Sequence, residues 1–288
     1  MKNTKKIITI IVGKRSNLSL NLHKRINDSV VVSSSELIDS LEQLMKFRKN
    51  RINVIFNNFQ PSKNLNSFID PDRYIELSIS LTVKVLMFLI HNRLEINQVI
   101  YTSSCSVYGN STKREGYLGL EPIGIPSSLK YLNENFLREI CHNHKINLKV
   151  ARIFNMFGGI DNFSVISRII NCYKNKIPLN VNNHGKSLRD YIHINDVVNI
   201  YQKIIDDPSI KFETIDIGSG NSKSLFTILN HLSFHGYNID TKNSQSNEVN
   251  FSQADVSNAK KVVDVSTFID VKDFLLDELK NVDGKNNN

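Results

Sequence analysis

The 288-residue chain is expected to fold as an α/β protein, with a doubly wound parallel sheet and a smaller C-terminal α/β part. Three observations predict this. Short apolar runs alternate with segments of helical spacing, as in a sheet whose strands are buried on both faces. Those runs end in Gly or hydroxyl residues (Gly13, Ser33 to Ser35, Ser103 to Ser106), the kind of strand end where an open α/β sheet holds its ligand. Length and an ordinary globular composition allow one large or two modest domains with a real core.

Residues 7–12, Ile-Ile-Thr-Ile-Ile-Val, form the first predicted strand. Gly13 follows, with Ser16 and Ser19 at three-residue intervals in a strand–loop–helix segment. Residues 30–32 make a second strand. Residues 36–49 place Leu37, Leu41, Leu44 and Met45 on one helical face. Residues 53–56 are a strand ending in Asn57-Asn58-Phe59, and 74–92 a long apolar helix. Residues 98–101 are a strand that runs into Ser103-Ser104-Cys105-Ser106. Ser127 or Ser128 is expected to cap the next helix, with Lys130 and Glu134 four apart on one face. Strands at 150–154, 179–181 and 214–217 and helices at 163–175, from Asp196 as cap, and at 224–231 complete the pattern.

The charge balance of 36 basic and 28 acidic residues gives +8, spread along the chain. Scattered Lys and Arg argue against nucleic acid and suit a polyanionic small ligand. The three cysteines, Cys105, Cys141 and Cys172, have neither metal-ligand spacing nor a disulfide pattern, so no metal is expected and a reducing cytoplasm is. The apolar run at 7–12 is too short for a secretory signal. The run at 77–90 is fourteen residues long and contains Lys84, so a buried helix is expected and not a membrane span.

The stretch Val99-Ile-Tyr-Thr-Ser-Ser-Cys-Ser-Val-Tyr-Gly109, the Lys130–Glu134 helix, Arg152-Ile-Phe-Asn155-Met-Phe-Gly158 and Arg189-Asp-Tyr-Ile-His-Ile-Asn-Asp196-Val-Val together resemble the extended short-chain dehydrogenase/reductase family. These are the NAD(P)-dependent epimerases, dehydratases and reductases of nucleotide sugars. The resemblance runs along almost the whole chain. It implies a Rossmann-like dinucleotide-binding domain at 1–155 and a substrate-binding part at 156–288, with about 194–218 returning to the first domain. It places Ser104 and Lys130 in the catalytic set. It places Gly13, Ser16, Ser19, Ser103 and Lys130 around NAD or NADP, and Ser104, Asn155 and Arg189 against the nucleotide sugar. A cytoplasmic homodimer is implied as well.

The chain departs from the family pattern at several of these positions. Ser16 and Ser19 stand where the family has Gly, and no acid precedes Glu36 where an NAD-binding unit holds the adenine ribose. Ser78 replaces a supporting Asn, and Gln245 a second phosphate-binding Arg. Cys105 and Ser106 replace the Asp-Glu pair of the dehydratases, which disfavours a 4,6-dehydratase. The catalytic Tyr position is Pro126, which has no proton to exchange. Tyr108, Tyr117 and Cys105 are the nearby groups that could substitute. The expected function is a nucleotide-sugar epimerase or 4-keto reductase for surface polysaccharide. The alternative is a catalytically inactive relative that binds nucleotide sugar or dinucleotide, or pairs with an active subunit.

Overall fold

The computed structural model describes residues 5–59, 70–109, 120–246 and 248–286; Tyr117 lies outside these. The described residues form two compact units. One comprises residues up to 109, 120–152 and 200–215, and the other 153–199 and 216 onward.

The first unit is built on a six-stranded sheet of order β2-β1-β3-β4-β5-β8, with β1 Ile7–Val12, β2 Ser29–Val32, β3 Arg51–Phe56, β4 Glu95–Ser104, β5 Leu148–Ile153 and β8 Thr214–Ile217. The pairings β1–β2, β1–β3 and β3–β4 are parallel. The order 2-1-3-4-5 is one of the common doubly wound arrangements, and its switch point falls between β1 and β3. Register explains the unbroken apolar runs. Ile11, Ile55 and Ile100 lie side by side on one face, and Val12, Phe56 and Tyr101 on the other, all fully buried.

The helices of the first unit carry three corrections to the sequence reading. The expected helix over 36–49 is broken at Ser40, whose φ of −157° is extended; it becomes α2, Ser34–Asp39, and a 3-10 turn, Glu42–Phe47. Asp39 and Ser40 favour such a break because their side chains compete for the backbone. Gln43 Nε2 then donates to the carbonyls of Glu36 at 3.1 Å and Ser40 at 3.0 Å, and Leu37 and Leu44 still reach the core.

The long helix, α3, runs Pro71–His91 with a π turn at Glu76–Ser80. By length and composition it is apolar enough to cross a membrane, but Leu81, Val85, Leu86 and Leu89 are fully buried in the first unit's core.

The third correction concerns α4, Ile125–Asn143. It starts two residues before the expected serine caps, with Gly124 as cap residue (φ +79°) and Pro126 in its first turn. Proline fits there because the first helical N–H groups have no partner within the helix. Ser127 is buried and Ser128 Oγ donates to Gly124 O at 3.1 Å.

In the second unit, β6 Asn155–Phe157 pairs in parallel with β7 Tyr191–His193. Phe157, Ile169, Leu179, Ile228 and Leu275 form its core with helices Val165–Asn175, Leu225–Phe234 and Val271–Asn286. The helix expected to start at Asp196 begins at Ile194. The His193 ring supplies the cap, since Nδ1 accepts from the Asn195 N–H at 3.2 Å. Asp196 Oδ2 instead accepts from Ile269 N–H at 3.0 Å.

Gly13 is demanded by the fold. Gly13 sits at φ +118°, its N–H donates to Val32 O at 3.0 Å, and a Cβ there would lie 2.2 Å from Asn57 O. Gly13→Ala is expected to cost about 1–3 kcal/mol of stability from the backbone conformation alone. Urea unfolding of the variant beside the parent protein measures this.

Candidate functional site

The carboxyl ends of β1, β3 and β4 carry the residues of interest in the first unit. After β1 the chain turns at Gly13 into α1, Asn17–Arg25. Ser16 is its cap residue but makes no bond to the helix's own N–H groups, and the first turn has no acid. Both serines at glycine positions face the end of β3. Asn57 Nδ2 donates to Ser16 Oγ and to Ser19 Oγ, each at 2.8 Å. The end of β2 runs into Ser33 and Ser35, whose hydroxyls bond each other at 2.8 Å.

At the end of β4, Ser103 and Ser104 diverge. Ser103 turns inward, is 2% exposed, and gives its proton to Glu134 Oε1 at 2.5 Å. Ser104 is half-buried; its Oγ accepts from Ser106 N–H at 3.2 Å, which leaves its own proton available. A 3-10 turn, Cys105–Tyr108, follows.

Glu134 is wholly buried on α4 and holds this corner together. Arg152, from β5, reaches it with Nε at 3.1 Å and Nη2 at 2.7 Å, a two-pronged geometry suited to guanidinium and carboxylate. Arg138 Nη2 adds a third contact at 3.1 Å. Burial alone would lower the Arg152 pKa; the hydrogen bonds and charge of Glu134 outweigh it and hold the guanidinium firmly protonated. Tyr108 closes the cluster. Its hydroxyl accepts from Arg152 Nη1 at 3.0 Å and its ring lies 4.9 Å from the guanidinium carbon.

Lys130 is one turn before Glu134 on α4. Its ammonium sits 4.8 Å from the centre of the Phe59 ring and makes no hydrogen bond or ion pair with any described residue. Burial pushes its pKa down to about 8, against the opposing charges of Cys105 and Glu134. Pro126, a further turn back, occupies the face where the family pattern has Tyr. Below this corner Asn133, fully buried, donates to the Ser78 carbonyl in the π turn at 3.1 Å.

In the second unit, Asn155 Nδ2 donates to the Asp190 carbonyl at 2.9 Å. Arg189 Nη2 pairs with Glu248 at 3.3 Å and Nη1 donates to Leu188 O at 3.0 Å. Asp190, fully buried, is the organiser. Its carboxylate accepts from Ser219 N–H and Oγ, both at 2.7 Å, from Gly220 N–H at 2.9 Å and from Ala254 N–H at 3.0 Å. His193 is buried between Phe157 and Phe274, and its pKa is lowered by that burial. Among the described residues there is no cluster of three or more metal-ligating side chains.

Sequence reasoning passed over the roles of Asn57, Phe59 and Asp190. The Asn-Asn-Phe run after β3 and the Arg-Asp pair were visible, but which side chains they engage depends on contacts 29 to 71 residues away.

A parallel α/β sheet with polar side chains gathered at its carboxyl ends defines a ligand-binding doubly wound protein. The family model described as "NAD dependent epimerase/dehydratase family" matches residues 4–218, and the chain belongs to that family. It is 24% identical over 309 residues to the UDP-glucose 4-epimerase of Mycoplasma genitalium, a match that covers 96% of this chain and 88% of the relative. Among solved structures it is similar to the UDP-N-acetylglucosamine 4-epimerase of Methanobrevibacter ruminantium in complex with UDP-N-acetylmuramic acid. There the TM-score is 0.76 at 19% identity, over 97% of this chain and 98% of that one. RMD of Pseudomonas aeruginosa complexed with NADPH matches with a TM-score of 0.76 at 18% identity, over 96% and 99%. At these identities the structural likeness speaks for the fold.

The Glu134 cluster yields a stability prediction. Glu134→Ala leaves the Arg152 guanidinium buried without a counter-charge and is expected to cost about 3–5 kcal/mol. The double variant Glu134→Leu/Arg152→Met should recover most of that loss. Chemical denaturation of the three proteins gives the comparison.

Proposed function

We propose that the protein is an NAD(P)-dependent enzyme acting on nucleotide sugars, as an epimerase or 4-keto reductase in surface polysaccharide formation. The observation that carries this reading is Lys130, a half-buried ammonium without a counter-ion among the described residues, kept at the ligand end of the sheet. Such a group is costly to maintain unless something uses it. Family membership and the relatives' nucleotide-sugar substrates support the substrate class.

The donor set fits a dinucleotide diphosphate. The start of α1 carries no side-chain cap and no acid, which suits an anion there, and Gly13 lets the backbone turn tightly beneath it. Ser16 and Ser19 line the same turn, with Asn57 holding their hydroxyls. Lys130 would bond the nicotinamide ribose, and Ser103 holds the strand end in place through Glu134. The end of β2 offers hydroxyls and no carboxylate to the adenine ribose, which is compatible with NAD or NADP. Bound there, the dinucleotide supplies a hydride acceptor and donor.

Ser104, with its hydroxyl proton free, orients the sugar oxygen in this reading. Within the second unit, taken by itself, Arg189, whose pair with Glu248 is loose at 3.3 Å, is the group suited to a diphosphate, with the Asn155 amide in the same unit. A cytoplasmic homodimer belongs to the same proposal; Leu132 and Phe136, four apart on α4 and 43% and 44% exposed, support a helical pairing face.

The second reading, an inactive relative that binds nucleotide sugar or dinucleotide or pairs with an active subunit, is favoured by the departures at Ser16, Ser19, Ser33 and Gln245 and above all by Pro126. Titration separates the two. The purified protein is denatured and any released nucleotide identified by mass, and NAD, NADP and UDP-glucose are then titrated calorimetrically. Dinucleotide binding is expected, with Ser16→Gly/Ser19→Gly tightening it about tenfold, or about 1.4 kcal/mol. Binding of UDP-glucose without either dinucleotide would sink the enzyme reading.

A further inference from the structure

We propose that Lys130 itself takes up and returns the proton of the sugar hydroxyl, the role for which the chain has no tyrosine at Pro126. The inference rests on the nucleotide-sugar reading above.

The geometry supports it from three sides. The ammonium is half-buried, lies against the Phe59 ring, and has no hydrogen-bond or ion-pair partner among the described residues. The face of the Phe59 ring favours the charged amine modestly, but no described carboxylate pairs with it, so burial outweighs that gain. The charged and titratable groups that face it are Cys105, from the turn after β4, and Glu134, from its own helix. Glu134 is already matched by Arg152 and Arg138, so little of its charge is left to hold a proton on Lys130. The site therefore brings the amine close to the neutral range, in agreement with a value of about 8.

Among the other described groups that could substitute, Tyr108 is engaged. Tyr108 accepts a hydrogen bond from Arg152 and stacks on its guanidinium, within the same buried cluster that orders the corner. Pro126 offers no proton.

The step balances as follows. Neutral Nζ accepts the hydroxyl proton and becomes ammonium. The hydroxyl oxygen's electron pair forms the C=O bond, and the carbon's C–H electrons leave as hydride to the oxidised nicotinamide cofactor. In the return direction the ammonium gives the proton to the carbonyl oxygen as hydride comes back to the carbon. Ser104 holds that oxygen throughout.

The first test reads the free protein. Reductive methylation over a pH series, with the Lys130 peptide followed by mass spectrometry, is expected to show a midpoint near 8; an ordinary lysine midpoint overturns the proposal. A lysine whose folded pKa lies below its unfolded value costs stability while it is charged, and that cost disappears as pH rises from about 8 to about 10.4. Lys130→Met should therefore melt higher than the parent at pH 7, with the gap closing toward pH 10. An equal or lower melting temperature at pH 7 counts against the proposal.

The second test reads turnover of UDP-glucose with NAD or NADP. Lys130→Met and Lys130→Arg should both lose about 10²-fold or more, because arginine keeps the charge but releases no proton at these pH values. Oxidation of the sugar by the parent should rise with pH through the same midpoint found by methylation. Activity retained by Lys130→Arg would mean the cation alone matters. Activity lost in Cys105→Ala and kept in Lys130→Met would assign the proton to the thiol. Either outcome overturns the proposal while leaving the enzyme reading intact. A parent that turns over no nucleotide sugar fails that reading, and this proposal with it.

Discussion

A single buried carboxylate governs the first unit. Glu134 is wholly enclosed, and both of its oxygens are occupied by Ser103, Arg152 and Arg138. An ionised carboxylate in such a place is tolerable only because its lone pairs are filled and two guanidiniums offset its charge. The partners come from β4, β5 and α4 itself, so the bonds tie the helix to the carboxyl ends of two strands. Lys130 and Pro126 ride on the same helix, one and two turns away. Their positions relative to Ser104 follow from where Glu134 is anchored.

The same anchoring separates neighbours that look alike in sequence. Ser103 and Ser104 are adjacent hydroxyls at a strand end, and alternation along the strand sends them opposite ways. Ser103 is spent on Glu134 and becomes part of the framework. Ser104 stays accessible with a proton to give. Asp190 and Arg189 divide likewise in the second unit, where the acid gathers four main- and side-chain donors and the arginine remains in a loose pair with Glu248.

The departures from the family pattern have local physical consequences that point in different directions. Pro126 suits the first turn of α4 and strengthens the helix start while removing an acid–base group. The serines at 16 and 19 are accommodated because Asn57 reaches across to both hydroxyls, so the turn is filled by polar contacts instead of a bare backbone. Lys130 keeps a position that would be unfavourable for a merely structural cation, and burial there lowers its pKa.

Much of the fold was legible in the chain. Strands buried on both faces require continuous, largely apolar runs, and residues 7–12 and 53–56 can be little else. Family membership was legible too, because the Ser-Ser-x-x-Val-Tyr-Gly strand end and the Arg-Asp-Tyr-Ile-His segment are specific patterns. The break at Ser40, the π turn in Pro71–His91 and the cap at Gly124 were not, since local propensity there is weak and tertiary packing decides it. The roles of Asn57, Phe59, Arg152 and Asp190 were decided only by the tertiary structure, through contacts spanning from 18 to 71 residues. Sequence determines which side chains stand at strand ends. Whether a charge there is paired, buried or left free depends on what distant segments bring to it, and in this protein that difference separates Glu134 from Lys130.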